Sequence, residues 1–230
     1  MAERNCVERL AARVRTDAAR PLLTYYGAAG RTELSAKTFA NWADKTANLL
    51  ADLGVGQGDR IAAPLLTTHP GHWLGLALTM GAWQAGVGVV AADDPETALA
   101  VVGPEAPYPR AGVSTLVASL HPLGLANVGL GSGLADFTTE VLAMPDAHWA
   151  EPLAADQVWW VDQIGGLTGA ELAAVPAASG RMLVVATGAR QAVLAGLVEP
   201  LAGGGSVVVA GPDVPADYLE TIARQEGVSE

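Results

Sequence analysis

Apolar positions recur at helical spacing in the segment that follows Ser35. Between residues 36 and 53 they lie three or four positions apart, at Phe39, Trp42, Ala43, Thr46, Leu49, Leu50 and Leu53. This spacing predicts an amphipathic helix with Ser35 as its N-cap and Gly54 as its C-terminal stop. Ahead of it, residues 21–35 predict two short strands that form a hairpin around a Gly-Ala-Ala-Gly turn.

A strand, an apolar helix and a Val-rich strand follow in that order. Residues 59–66 predict the first strand, residues 69–85 the helix with Pro70 in its first turn, and residues 87–93 the second strand. Short connections in this order predict a parallel pair with a right-handed crossover. Residues 179–213 have the same plan. The sequence leaves open whether this is an internal repeat or the general similarity of any two βαβ units.

Periodicity is weaker between residues 95 and 157 and returns after them. Further strands are predicted at 114–119, 158–162, 181–187 and 206–211, and further helices at 137–144, 167–175, 189–204 and 216–227. We therefore expect an α/β fold of parallel-rich sheets flanked by helices. We expect one domain over residues 1–230, with subdomains at 1–150 and 151–230.

The composition is typical of a well-packed globular chain and argues against a nucleic-acid partner. Half of the 230 residues are hydrophobic and 16% are charged, with 13 basic and 24 acidic residues and a net charge of -11. The single cysteine, Cys6, excludes an internal disulfide and a cysteine-based metal cluster. The first 15 residues lack the apolar core of a signal peptide, so we expect a cytoplasmic protein.

The apolar run between Arg60 and Asp93 contains no charged residue, a pattern that is also typical of a membrane span. Residues 73–92 alone are long enough to cross a bilayer. Two prolines near the start of the run and two glycines near its end divide it into shorter elements. We therefore predict core elements buried on both faces, and no membrane association.

Three alternating glycines, Gly54, Gly56 and Gly58, raise the question of a phosphate-binding loop. Such a loop needs a strand before it and a helix after it, so that the helix N-terminus directs its amides at the anion. Here the predicted helix comes first and the strand second. The glycines therefore predict a helix stop and a turn.

Residues 163–172 have the order that a phosphate nest requires, because they follow a predicted strand and open a predicted helix. Gly166, Thr168 and Gly169 are the candidate cofactor-binding residues. No lysine accompanies them, and Glu171 in the first turn of the helix would repel an anion. An ordinary N-cap at Thr168 is the favoured interpretation.

The histidines and serines predict neither a metal site nor a catalytic residue. His69 and His72 are three positions apart, which is close to metal-ligand spacing, but no acidic residue accompanies them in the sequence. Polar residues at the start of a helix explain this pair better. A G-x-S-x-G nucleophile elbow in a strand-to-helix context is also missing.

The order of motifs over residues 21–95 resembles the opening of the adenylate-forming superfamily, which includes acyl-CoA synthetases, nonribosomal peptide adenylation domains and luciferases. The positions that carry the resemblance are Thr32, Leu34, Leu50, Gly54, Val55, Gly58, Asp59, Arg60, Ala85, Gly86, Val87, Asp94 and Pro95. Residues 201–211 resemble a later segment of the same enzymes, and residues 166–211 match loosely. The resemblance implies an N-terminal part of such an enzyme, in a short family found in high-GC bacteria.

The resemblance also implies that the adenylation machinery is missing. The superfamily's Thr/Ser/Gly-rich phosphate loop, which ends in Pro-Lys-Gly, has no counterpart, and residues 166–174 resemble the stretch just after that loop. The adenine- and magnesium-binding motif, the ribose-binding Asp and the domain with the catalytic lysine have no counterpart either.

We therefore expect a binding or partner module without adenylation activity and without a cofactor. The surface that other subdomains would cover predicts a homo-oligomer or a protein partner. The alternative is a reduced acyl-adenylate ligase that binds ATP or AMP with magnesium and is completed by another chain. The sequence does not identify the small-molecule ligand.

Overall fold

The computed structural model describes residues 4–105, 107, 109, 112–151 and 154–228. The α-helices are α1 (Cys6–Asp17), α2 (Ala36–Asp52), α3 (Leu65–Thr68), α4 (Trp73–Gln84), α5 (Phe137–Leu142), α6 (Gly169–Ala173), α7 (Ala189–Val193), α8 (Glu199–Gly203) and α9 (Leu219–Glu226). The strands are β1 (Pro21–Gly27), β2 (Gly30–Ser35), β3 (Arg60–Ala62), β4 (Gly88–Val90), β5 (Leu99–Val102), β6 (Ser114–Val117), β7 (Ala135–Asp136), β8 (Val158–Asp162), β9 (Gly165–Thr168), β10 (Arg181–Val185) and β11 (Ser206–Ala210). A π-helical segment, Leu194–Val198, joins α7 to α8, and a 3-10 turn, Ala216–Tyr218, precedes α9.

The strands form two parallel-rich sheets. A four-stranded sheet has the order β10-β11-β1-β2, and a seven-stranded sheet has the order β7-β6-β5-β3-β4-β8-β9. Only the hairpin pairs β1–β2 and β8–β9 are antiparallel among the described strands. The expected α/β fold with helices flanking parallel-rich sheets is confirmed. Each sheet combines strands from either side of residue 150, because β1 pairs with β11 and β4 with β8.

Local signals place α2 where the sequence predicts it. The Ser35 hydroxyl accepts a hydrogen bond from the Thr38 amide at 3.1 Å, and Gly54 follows the helix with a φ of +74°. A positive φ is costly for any residue with a Cβ, so glycine suits this stop. The glycines at 54, 56 and 58 therefore form a helix stop and a turn ahead of β3, as predicted.

The first βαβ unit is confirmed, with shorter elements than the sequence predicts. Strands β3 and β4 are parallel, but β3 ends at Ala62 because Pro64 begins the short helix α3. Helix α4 begins at Trp73, so Pro70 lies in the turn before the helix and not in its first turn. The second unit, β10 to β11, is also parallel and lies in the other sheet.

Helix α4 is buried on every side. All twelve of its residues are buried, so its apolar surface is not limited to one stripe. It packs closely on α2, because Gly81 faces Ala43 and Thr46 without an intervening side chain. The indole nitrogen of Trp83 donates a 2.9 Å hydrogen bond to the Trp159 carbonyl, which ties α4 to β8.

Within the part of the chain that the structure describes, no helix is long and apolar enough to cross a membrane. The uncharged run that suggested a span is divided into α3, α4 and β4. Helix α4 has 12 residues, whereas a bilayer needs about 20.

The close contact between α2 and α4 predicts the effect of adding a methyl group at Gly81. A Cβ there would lie 2.7 Å from the Ala43 carbonyl oxygen and 2.5 Å from Thr46 Cβ. We expect Gly81→Ala to lower the free energy of unfolding by about 1–3 kcal/mol, because the backbone oxygen cannot rotate away. Urea denaturation measures this change. Gly56→Ala, where a Cβ meets nothing within 4 Å, is the control and should alter stability by less than about 0.5 kcal/mol.

Candidate functional site

A pocket of about 360 Å³ lies between the two sheets, where carboxyl ends of parallel strands converge. We call it the intersheet pocket; it is lined by Tyr25, Gly27, Ala28, Ala29, Thr68, His69, His72, Glu105, Leu120, Pro212 and Asp213. Strands β1 and β11 of the four-stranded sheet end here, and so do the segments that leave β3, β5 and β6 of the seven-stranded sheet. Ligands of α/β proteins bind in this kind of crevice, outside the carboxyl ends of the strands.

Glycines allow the Tyr25 hydroxyl to pack closely against the backbone at the edge of the intersheet pocket. A Cβ at Gly27 would lie 2.8 Å from the Tyr25 hydroxyl oxygen, and a Cβ at Gly211 would lie 2.6 Å from it. The Gly211 position would also be 2.8 Å from Asp213 Oδ1. The Tyr25 hydroxyl and Asp213 Oδ1 therefore both lie close to Gly211, and a side chain at that position would collide with them.

His72 is a structural residue at the wall of the pocket. Its Nδ1 accepts a hydrogen bond from the Leu74 amide at 3.3 Å, which caps α4 as the sequence analysis predicts for a polar residue at a helix start. Its ring meets that of Tyr25 edge to face, with centroids 4.8 Å apart. Burial, assisted by the neighbouring His69, lowers the pKa of His72 to about 4. The imidazole is therefore neutral at neutral pH.

His69 acquires an acidic companion that the sequence analysis did not identify. Its Nε2 lies 3.0 Å from Glu105 Oε1, and its Nδ1 lies 2.9 Å from the Thr68 hydroxyl. Glu105 follows β5, a strand that the sequence analysis missed. Among the described residues, no group of three or more His, Cys, Asp or Glu side chains is arranged to hold a metal ion.

Burial raises the pKa of the Tyr25 hydroxyl, and the charge of Asp213 raises it further. The phenol therefore stays protonated at neutral pH and is available as a hydrogen-bonding group. Tyr25 is predicted from sequence only as a strand residue. The sequence analysis does not identify Asp213 either, because its position beside Tyr25 depends on the pairing of β1 with β11.

A second feature lies where the resemblance places a phosphate-binding loop. Two residues, Gln163 and Ile164, connect β8 to β9. The Asp162 carboxylate closes this turn by accepting hydrogen bonds from the amides of Ile164 at 2.8 Å and Gly165 at 3.2 Å. The chain thus reverses in a tight hairpin stabilised by its own carboxylate.

Arg190 binds the same carboxylate from α7. Its Nε and one terminal nitrogen each lie 2.8 Å from an Asp162 oxygen, and that nitrogen also donates to the Gly165 carbonyl at 2.6 Å. The Trp160 indole donates a further bond of 2.9 Å to Asp162. The guanidinium holds the pKa of Asp162 well below its ordinary range. The ion pair fixes the hairpin to the following helix.

The candidate residue Thr168 caps α6. Its hydroxyl accepts a hydrogen bond from the Glu171 amide at 3.2 Å, and the Glu171 carboxylate accepts one from the Thr168 amide at 2.7 Å. This reciprocal capping box matches the ordinary N-cap interpretation. The amide of Gly169 donates instead to the Gln157 carbonyl at 3.0 Å. The protein itself therefore occupies these donors at the start of the helix.

The two candidate glycines allow close packing. A Cβ at Gly166 would lie 2.9 Å from a Val158 methyl group, and one at Gly169 would lie 2.7 Å from the Ala154 carbonyl oxygen. Gly166, Thr168 and Gly169 are close in sequence and lie in one hairpin-to-helix segment, but none of them lines the intersheet pocket.

The comparison of sequences finds one family. No family model matches the chain. A TIGR03089 family protein of Mycobacterium tuberculosis (strain ATCC 25618 / H37Rv) is 37% identical in an alignment of 230 positions that covers 93% of this chain and 92% of that protein.

The comparison of structures finds acyl-CoA synthetases. An acyl-CoA synthetase of Brucella canis superposes with a TM-score of 0.73 at 17% identity, over 98% of this chain and 46% of that chain. A benzoate CoA ligase of Burkholderia xenovorans LB400 gives 0.67 at 16% identity, over 95% and 48%. The N-terminal domain of FACL13 of Mycobacterium tuberculosis gives 0.70 at 13% identity, over 98% and 61%.

These structures establish the fold. The chain has the architecture of the N-terminal part of adenylate-forming acyl-CoA synthetases, as the sequence resemblance implied. It spans about half the length of the first two enzymes, 46% and 48%. At these identities the likeness does not extend to activity.

The neutral state of buried His72 predicts a pH dependence of stability. Its pKa is about 4 in the folded protein against an ordinary 6.5, so below pH 6.5 the unfolded chain binds a proton that the folded protein does not. Stability should therefore fall between pH 6.5 and 4, by at most about 3 kcal/mol from this group.

The variant His72→Asn keeps a capping oxygen but carries no such proton, and should show a smaller fall in urea denaturation across this pH range. His121→Asn is the matched control, because His121 makes the same contact to the amide of Leu123 at 3.1 Å on an exposed loop. Equal slopes for wild type and His72→Asn would contradict the prediction.

We predict that breaking the Asp162–Arg190 ion pair lowers the stability of the protein substantially. The two side chains are 6% and 19% exposed, so Arg190→Gln leaves a poorly solvated carboxylate. We expect the free energy of unfolding to drop by about 2–3 kcal/mol. Arg20→Gln, which breaks a pair with Asp17 at 3.4 Å on a side chain that is 77% exposed, should change it by less than about 0.5 kcal/mol. Similar losses for both variants would contradict this interpretation.

Proposed function

The chain belongs to the TIGR03089 family, and we propose that it is a binding module on the N-terminal half of the acyl-CoA synthetase fold, without adenylation activity of its own. Its binding site is the intersheet pocket, and its polypeptide partner is a second copy of the chain or another protein.

The observation that carries the proposal is the closed hairpin between β8 and β9. Catalysis of adenylation requires groups that hold and neutralise the phosphates of ATP. In this hairpin the turn presents a carboxylate, Asp162, and the nearby cation, Arg190, is already paired with it. The amides of Ile164 and Gly165 are directed at the same carboxylate. A triphosphate would have to displace this ion pair before it could bind Arg190 or the amides of Ile164 and Gly165.

The intersheet pocket supports a binding role. Its volume, about 360 Å³, falls in the range of small-molecule sites. Its position outside the carboxyl ends of strands from both sheets does not depend on the hairpin. A hairpin that does not bind phosphate is therefore compatible with ligand binding in the intersheet pocket.

Exposed apolar side chains support the partner role. Trp149 is 95% exposed, Val128 93% and Ile164 78%. Tryptophan is enriched among the residues that dominate protein interfaces, which makes Trp149 the first position to test in a partner screen.

The test is adenylation chemistry and nucleotide binding by the purified chain. We expect no ATP-pyrophosphate exchange with carboxylic acids, and no calorimetric signal from ATP or AMP with magnesium at millimolar concentration. A full-length acyl-CoA synthetase assayed in parallel is the positive control. Saturable AMP binding with pyrophosphate exchange would overturn the proposal and establish the reduced acyl-adenylate ligase instead.

A further inference from the structure

We propose that the intersheet pocket binds the protonated amino group of a small organic molecule, with Tyr25 and Asp213 as the residues that hold this group. The inference rests on the binding role proposed above and adds the chemical class of the ligand.

Tyr25 is a buried residue with a polar hydroxyl, and it lines the pocket. The residue is only 8% exposed, yet its hydroxyl has no hydrogen-bond partner among the residues that the structure describes. Buried polar groups are nearly always paired. Because Tyr25 lines the intersheet pocket, the space available to such a partner is the pocket itself. A ligand atom in this space would complete the hydrogen bonding of Tyr25.

The charges around this hydroxyl favour a cation. Two carboxylates, Asp213 and Glu105, line the pocket, and the described lining residues include neither lysine nor arginine. The neighbouring His72 is neutral at neutral pH. The chain as a whole carries a net charge of -11, which attracts cations and repels anions at long range. A carboxylate or phosphate group placed here would meet the like charge of these carboxylates.

The geometry fits an ammonium group in particular. Such a group has several donors and no acceptor, so it needs more than one oxygen around it. The Ala28 amide donates to Asp213 Oδ2, whereas Oδ1 and the Tyr25 hydroxyl oxygen lie near each other, both beside Gly211. One ammonium group can therefore donate to both atoms. Leu120 and Pro212 supply apolar surface for the carbon chain that carries it.

The test is a binding series with matched head groups. We expect 2-phenylethylamine and n-butylamine at pH 7 to give saturable NMR chemical-shift changes at millimolar concentration. The matched alcohols, 2-phenylethanol and n-butanol, should bind at least about tenfold more weakly, because they lack the charge-assisted bond. The matched acids, phenylacetate and butyrate, should not bind.

Two variants assign the interaction to its residues. Asp213→Asn keeps an acceptor for the Ala28 amide and should weaken amine binding at least about tenfold, while Tyr25→Phe keeps the ring and should weaken it by about three- to tenfold. Asp52→Asn and Tyr218→Phe, at exposed or half-exposed positions outside the pocket, are the matched controls and should bind amines like wild type. Unchanged melting temperatures establish that each variant is folded.

Each other outcome overturns the inference: no amine binding, equal binding of amines and acids, or full binding by Asp213→Asn. Pyrophosphate exchange measured on the same samples separates this inference from the proposed function. If amines bind and exchange is observed, only the claim of inactivity is overturned. If amines do not bind and no exchange is observed, only the claim of an amine site is overturned.

Discussion

Helix α4 has no polar face, and the rest of the structure is arranged to cover it. A helix that is apolar all round must be enclosed by other elements, because no side of it can face water without loss of hydrophobic free energy. Helix α2 covers one side through the close approach at Gly81, and β8 is bonded to another through Trp83. The four-stranded sheet closes a further side, where Leu76 and the turn before α4 meet residues of the β10–β11 unit. Two sheets therefore share one core cluster.

This enclosure also determines where a ligand can bind. Both sheets pack against α4, and the carboxyl ends of strands from each sheet come together at the N-terminus of this helix. His72 stands at that point, where it caps the helix and contacts Tyr25 of the four-stranded sheet. Glu105, which follows β5, and Asp213, which follows β11, line the pocket at the same point. The pocket is thus a consequence of core packing, and its polar character comes from the residues with which the strands end.

The sequence predicts the parts of this arrangement that depend on neighbours along the chain. Ser35 and Gly54 bound α2 by local hydrogen bonding and backbone conformation, which a single sequence can show. Strand β5 was missed because four apolar residues between loops carry no periodicity that separates strand from loop. Strand β9 was missed because its glycines are typical of a turn. The pocket depends on contacts across two sheets, so the His69–Glu105 and Tyr25–Asp213 pairs have no local signal in the sequence.

The two polar features of the molecule differ in how completely their groups are paired within the protein. In the hairpin, opposite charges are paired within the protein: the Asp162 carboxylate binds Arg190 and accepts hydrogen bonds from the amides of Ile164 and Gly165. In the intersheet pocket the pairing is incomplete, because among the described residues neither the Tyr25 hydroxyl nor Asp213 Oδ1 has a hydrogen-bond partner. A fully paired group stabilises the protein and is closed to ligands, whereas a buried unpaired group gains free energy only when a ligand arrives. Under the function proposed above, the chain would bind a ligand on this fold without adenylation chemistry, and the carboxylates that line the pocket would select the charge of the bound group.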